Sequence, residues 1–218
     1  MPLIDLSHLI DENTITYKGL PAPVICDYWS RESSIDNYDD GSSFQIGKVD
    51  LVANTGTYID SPFHRFKKGK DISKISLEVL ASLDSHKVKW DYQNRGLAVG
   101  KEAFEGLNLK NKAVLINTDW SEKWMTEEYY SDHPFLSEEA AIYLKDSGVL
   151  LVGIDSYNID DTRTKKRPVH TVLLGNDILI AEHLTNLHLL PDNKFRFYAV
   201  PPKIKGMGTF PVRAFAQF

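Results

Sequence analysis

Asn54-Thr55-Gly56-Thr57-Tyr58-Ile59-Asp60-Ser61-Pro62-Phe63-His64 is the densest run of reactive side chains in the 218-residue chain. It follows a strand-like stretch, Phe44 to Ala53, and so reads as a loop that displays functional groups beyond a strand. Gly56 permits a backbone conformation or a close approach that other residues resist, and Pro62 restricts the chain between Asp60 and His64. Such punctuation can hold two side chains at a defined separation. Taken alone, Asp60 and His64 fit equally well a structural turn, with the carboxylate bonded to local amides and the imidazole partly exposed.

A second cluster lies downstream. Arg167-Pro168-Val169-His170 is followed by the apolar run Ile178 to Ala181, which ends on Glu182. A carboxylate closing an apolar strand is costly to bury ionised unless it is paired or holds a cation. It is otherwise a surface strand end, just as His170 taken alone is a hydrogen-bonded core imidazole or a ligand. Together these His, Asp and Glu donors suit zinc or manganese, and three protein ligands leave a position open for water. Cys26 stands alone, which excludes an intramolecular disulfide and a thiolate zinc cluster. As a nucleophile it is disfavoured, because Asp27 beside it opposes thiolate formation.

Around these clusters, alternation and β-branched residues predict strands at Leu3 to Leu6, Phe44 to Ala53, His86 to Tyr92, Ala113 to Thr118, Val149 to Asp155, Ile178 to Ala181 and Arg196 to Val200. The clearest helix is Glu138 to Ser147, with Ser137 as N-cap, two glutamates at its positive end and Gly148 to terminate it. Weaker helices fit Leu77 to Ser82 and Lys101 to Leu107. The pattern is an α/β fold, an α+β mixture with more strands than helices. With no internal repeat, low-complexity tract or composition shift, residues 1–218 are expected to form a single domain.

Hydrophobic residues make up 42% and charged residues 25% of the chain, and no apolar run approaches the ~20 residues of a membrane-spanning helix, so a soluble protein is expected. The N-terminal MPLIDLSHLIDEN has acidic residues where a signal peptide is basic or apolar, which makes cytoplasm the expected compartment. The net charge is −5 and the short basic clusters, Lys67 to Lys70 and Arg163 to Arg167, sit in loop-like stretches. Neither nucleic acid nor a membrane is an expected partner; a small-molecule substrate is.

The combination resembles the cyclase family of metal-dependent hydrolases, which includes bacterial kynurenine formamidases. Asn54 to His64 aligns without gaps to the family signature His-x-Gly-Thr-His-x-Asp-x-Pro-x-His. Further similarity lies in Ile4-Asp5-Leu6-Ser7-His8, Thr118 to Ser121, Leu151 to Ser156, Pro168 to His170, Leu174 to Leu187 and Pro201 to Arg213. The resemblance implies a swivelling β/β/α-like, partly barrel-like sheet, and homodimers or homotetramers whose partner subunits help close the active site. It implies that Asp60, His170 and Glu182 bind metal and that His64 performs acid-base catalysis.

Two signature histidines of the family's binuclear site are Asn54 and Tyr58 here. An amide oxygen is neutral, and a phenol of pKa near ~10 must lose a proton before it binds metal strongly. The expectation is therefore a hydrolase of an amide, ester or lactone, arylformamidase-like in type, with one strong zinc or manganese position. Two other readings stay open. One is a catalytically lapsed relative that binds small molecules or serves assembly; the other is a metal-free enzyme using Tyr58, Asp60 and His64. Trp120 and Phe63 are candidates for an aromatic substrate wall or for ordinary core.

Overall fold

Three strands buried at every position, Ala113–Asn117, Leu151–Ile154 and Leu179–Glu182, form the centre of a nine-stranded sheet in the computed structural model, which describes residues 2–218. Leu83–Lys89 joins them, and the four run parallel. Strands covered on both faces need apolar residues throughout rather than in alternation, and the sequences AVLIN, LVGI and LIAE meet that need.

Their side chains divide by parity between two cores. Val114, Ile116, Val152, Ile154 and Ile180 pack under Ala140, Ala141 and Leu144 of the helix Glu138–Asp146, and under Val169, Leu173 and Leu174 of the helix Pro168–Leu174. Ala113, Leu115, Leu151, Leu179 and Ala181 point the other way. The antiparallel strands Asn193–Tyr198, Phe215–Gln217 and Leu3–Asp5 extend the sheet past Leu83–Lys89. The sheet curls into a half-barrel, and Phe195, Phe197 and Ala216 fill the second core. Truncating a buried Leu or Ile of either core to Ala is expected to cost ~2–5 kcal/mol.

At the opposite end, the short strand Tyr58–Asp60 pairs antiparallel with Leu179–Glu182 on one side and with Thr209–Pro211 on the other. This corrects the loop expected over Asn54 to His64: its middle belongs to the main sheet. The expected strand Phe44 to Ala53 shrinks to Ile46–Asp50, which lies outside that sheet and pairs with Val24–Trp29 in an exposed two-stranded ribbon carrying Cys26. The expected strand from His86 begins earlier, as Leu83–Lys89, and the two weaker helices are single 3-10 turns, Leu77–Val79 and Lys101–Ala103. Ser137 caps the Glu138–Asp146 helix by accepting from the Ala140 amide, and Gly148 follows with φ +75°. The helix Pro168–Leu174 is not among the expected elements. Among the described residues no helix is long and apolar enough to cross a membrane.

Candidate active site

Residues two apart on a strand share a face, and directly opposed residues on neighbouring strands are side-chain neighbours. Tyr58 and Asp60 therefore point the same way. Register sets Tyr58 opposite Glu182, and Asp60 opposite Thr209. These pairings account for the two hydrogen bonds at the floor of the site. The Tyr58 hydroxyl donates to Glu182 Oε2 at 2.5 Å, and Thr209 Oγ1 donates to Asp60 Oδ1. Upstream, Gly56 has φ +64°, a region that strongly favours glycine, and its amide is held by Thr16 Oγ1 at 2.7 Å.

Immediately after Asp60 the chain turns into the short helix Pro62–Arg65, with proline in its first turn, where no amide partner is lost. Ser61 binds the Gly208 carbonyl through both its amide and its hydroxyl. A Cβ on Gly208 would lie 2.5 Å from the His64 amide nitrogen, and one on Gly69 would lie 2.5 Å from the Pro62 carbonyl carbon. Backbone thus packs on backbone around the segment that carries His64. His64 Nδ1 lies 2.8 Å from Thr209 Oγ1. Because the single Thr209 proton goes to Asp60, the bond from His64 is donated by Nδ1–H, and in the neutral imidazole Nε2 is then the acceptor nitrogen.

His170 arrives from the helix Pro168–Leu174 above the same face. Asp160 accepts from the amides of Val169 at 2.8 Å and His170 at 3.0 Å, supplying the first helical turn with the cap that Arg167 does not give. The same carboxylate accepts from His170 Nδ1 at 2.6 Å. The imidazole is thereby held with Nε2 facing Asp60 Oδ2 at 3.7 Å and Glu182 Oε1 at 3.9 Å. Burial works against a charge on His170, yet contacts with Asp160, Asp60 and Glu182 outweigh it and push this imidazole up to about 10.

Asp60 Oδ2 is buried and has no hydrogen-bond partner. Leaving such an oxygen bare costs more than most side-chain contacts return, and a cation relieves that cost. Asp60, His64 and His170 each bring a ligand atom within 4.8 Å of the others, and Glu182 adjoins His170. The converging donor set that could hold one divalent ion is Asp60, His64 and His170, with His64 in the place expected for Glu182. The structure brings together all four residues the sequence singled out, with Asp60 and Glu182 fully buried and the His64 side chain 34% exposed.

The altered positions behave differently from one another. Asn54 is half-buried and lines the cleft, whose volume is about 160 Å³. Tyr58 is buried among hydroxyls: Tyr17 lies at 2.7 Å, itself accepts from Asn158 Nδ2 at 3.1 Å and lies 3.3 Å from His183 Nε2. The other nitrogen of His183 is 2.8 Å from the Tyr129 hydroxyl. Burial, reinforced by Glu182, raises both Tyr17 and Tyr58 well above the ordinary phenol range, so both remain protonated donors. Among the described residues Tyr58 forms no hydrogen bond with Asp60 or His64, which are instead linked to each other through Thr209. Trp120 lies in the core, donating to the Tyr129 carbonyl, and neither it nor Phe63 lines the cleft, whose aromatic lining is Tyr17 and Tyr58.

Asp160, Thr209, Tyr17 and Asn158 went unread in the sequence. Asp160 lies four residues past the Leu151 to Ser156 similarity, so extending that segment toward the His170 helix was the available signal. No local pattern marks Tyr17 or Thr209.

A family profile described as "putative cyclase" matches residues 4–161. Kynurenine formamidase of Bacillus cereus (strain ATCC 14579) is 27% identical over 217 residues, covering 97% of this chain and 95% of that protein. The kynurenine formamidase of Geobacillus thermodenitrificans is 25% identical over 215 residues, covering 98% and 96% respectively. Both alignments extend past residue 161 toward the segment that holds His170 and Glu182. Among solved structures, isatin hydrolase A of Labrenzia aggregata superposes with a TM-score of 0.82 at 20% identity, covering 99% of this chain and 93% of that one, a likeness of fold.

Proposed function

The chain belongs to the cyclase family, and on that premise we propose that it is a metal-dependent hydrolase of an amide, ester or lactone, with a single strong cation position. Asp60, His170 and Glu182 would hold the ion. The observation that carries this reading is the bare, buried Asp60 Oδ2 facing His170 Nε2. A zinc or manganese ion there supplies Lewis-acid polarisation of the scissile carbonyl and lowers the pKa of water toward ~7.

The remaining work falls to side chains. His64, oriented by Thr209 with Nε2 free, takes a proton from the attacking water and returns it to the departing amine or alcohol, leaving an acid as the second product. Asp160 fixes the His170 tautomer and ring. Tyr58 and Tyr17 supply hydrogen bonds to Glu182 where the family's other cation would supply charge. We include in the proposal a homodimer or homotetramer that covers Val24, Ile25, Tyr28 and Val49 of the exposed ribbon; light scattering tests it.

The central test pairs metal analysis of protein purified without chelator with hydrolysis assays on N-formylkynurenine and small lactones. The expected result is about one divalent ion per chain, and turnover that chelator removes and zinc or manganese restores. Protein with neither metal nor turnover overturns the proposal in favour of a small-molecule-binding relative. Chelator-resistant turnover overturns it in favour of a metal-free enzyme.

A further inference from the structure

Two guanidinium groups line the cleft around the catalytic groups, and neither has an acidic partner among the described residues. Arg65 follows His64 directly, and its Nε donates to Thr171 Oγ1 at 3.3 Å, bridging toward the helix that carries His170. Arg167 precedes that helix, with Nη1 turned onto the carbonyls of Thr164 at 2.8 Å and Lys166 at 2.7 Å. Neighbouring cations are neutralised: Arg163 pairs with Asp161, and Lys70 with Asp177. Carboxylate is scarce by contrast. Glu182 is the one acid lining the cleft, and its oxygens already accept from Tyr58 and from the Ile159 amide.

A guanidinium presents a planar fork of donors matched to a carboxylate, and such charge-assisted bonds are about twice as strong as neutral ones. An ammonium group placed here would meet two cations, with Asp60 and Glu182 committed to the proposed ion and to their own hydrogen bonds. We infer that the substrate is a small acyl compound bearing a carboxylate away from the scissile bond and no ammonium group, with Arg65 and Arg167 as its specificity-determining residues. The inference rests on the hydrolase reading for the scissile bond and on the two arginines for the charge.

The test uses the full chain, replete with zinc or manganese, and three formamides that differ in charge: N-formylanthranilate as the anion, formanilide as the neutral compound and N-formylkynurenine as the zwitterion. The anion is expected to lead in kcat/KM by ~10-fold or more, the size of a charge-assisted hydrogen bond. Arg65→Gln and Arg167→Gln should each reduce the anion-to-neutral ratio ~10-fold, and Arg65→Lys should restore part of it. Calorimetry with benzoate and benzamide reads the same preference without turnover, with benzoate binding weakened ~10-fold by Arg65→Gln.

Arginine-dependent benzoate binding without hydrolysis of any formamide would leave this inference standing and remove the hydrolase reading. Equal hydrolysis of anion and neutral compound, preference for the zwitterion, or a ratio unmoved by Arg65→Gln overturns the inference and leaves the hydrolase intact. Arg167 also ties down loop carbonyls; should Arg167→Gln not fold, Arg65→Gln decides alone, since that exposed side chain makes one hydrogen bond.

Discussion

Tyr58 and Asp60 are two residues apart on one strand and face the same way, yet the two halves of the site they floor have opposite characters. Around Tyr58 a closed set of hydroxyls, an imidazole and an amide runs from Tyr129 through His183 and Tyr17 to Glu182, with phenols held protonated by burial and by Glu182. Around Asp60 a carboxylate oxygen is buried without a donor, and two imidazoles approach it. The first half is complete as protein; the second leaves a buried carboxylate oxygen without a hydrogen-bond donor, 3.7 Å from the His170 imidazole. On the proposed reading, hydrogen-bond donors stand where one cation would be, while a cation is still called for two residues away.

The largest way to break this contrast is Asp60→Asn, which should remove both bound metal and turnover, a loss on the order of 10³-fold or more in kcat/KM, read by elemental analysis beside a rate assay. His64→Gln should lower kcat by ~10²–10⁴ with metal content unchanged; loss of the ion instead would make His64 a ligand and redraw the open half. Asp160→Asn should weaken metal affinity ~10–100-fold, measured by competition with a chelating dye, because the imidazole loses the partner that orients it. Tyr58→Phe should leave the ion in place and lower stability by ~1–3 kcal/mol in urea unfolding, the cost of taking a donor from a buried carboxylate.

The smallest effect is a slope. A phenol whose folded pKa is raised keeps its proton while the unfolded chain releases it, so its contribution is fully present below pH ~10 and is lost as pH rises further. Tyr58→Phe should make the alkaline fall in stability shallower by about 1.4 kcal/mol per pH unit. An unchanged slope would mean that Tyr58 ionises in the folded state.

What was legible in the sequence was whatever is decided locally. The Glu138–Asp146 helix carries its own start and stop in Ser137 and Gly148, and Ala113–Asn117 advertises two-sided burial. Tyr58–Asp60 reads as loop in the sequence because three residues make no period. Pairing with segments more than a hundred residues away makes them a strand. The helix at Pro168 shows no cap at Arg167 in the sequence, because Asp160, nine residues before Val169, satisfies its first turn. Asp60, His64, His170 and Glu182 were visible as residue types set against apolar or constrained surroundings. Their supporting partners were not, since Tyr17 and Thr209 acquire their roles only through long-range contact.

The glycine contacts beneath His64 carry a consequence for evolvability. At Gly69 and Gly208 any side chain would collide with backbone, so those positions cannot drift without moving the helix that carries His64. Asn54 and Tyr58 are side-chain positions on an otherwise retained frame. Substitutions at these two positions can therefore change the chemistry of the cleft without displacing the helix that carries His64, whereas substitutions at Gly69 or Gly208 cannot.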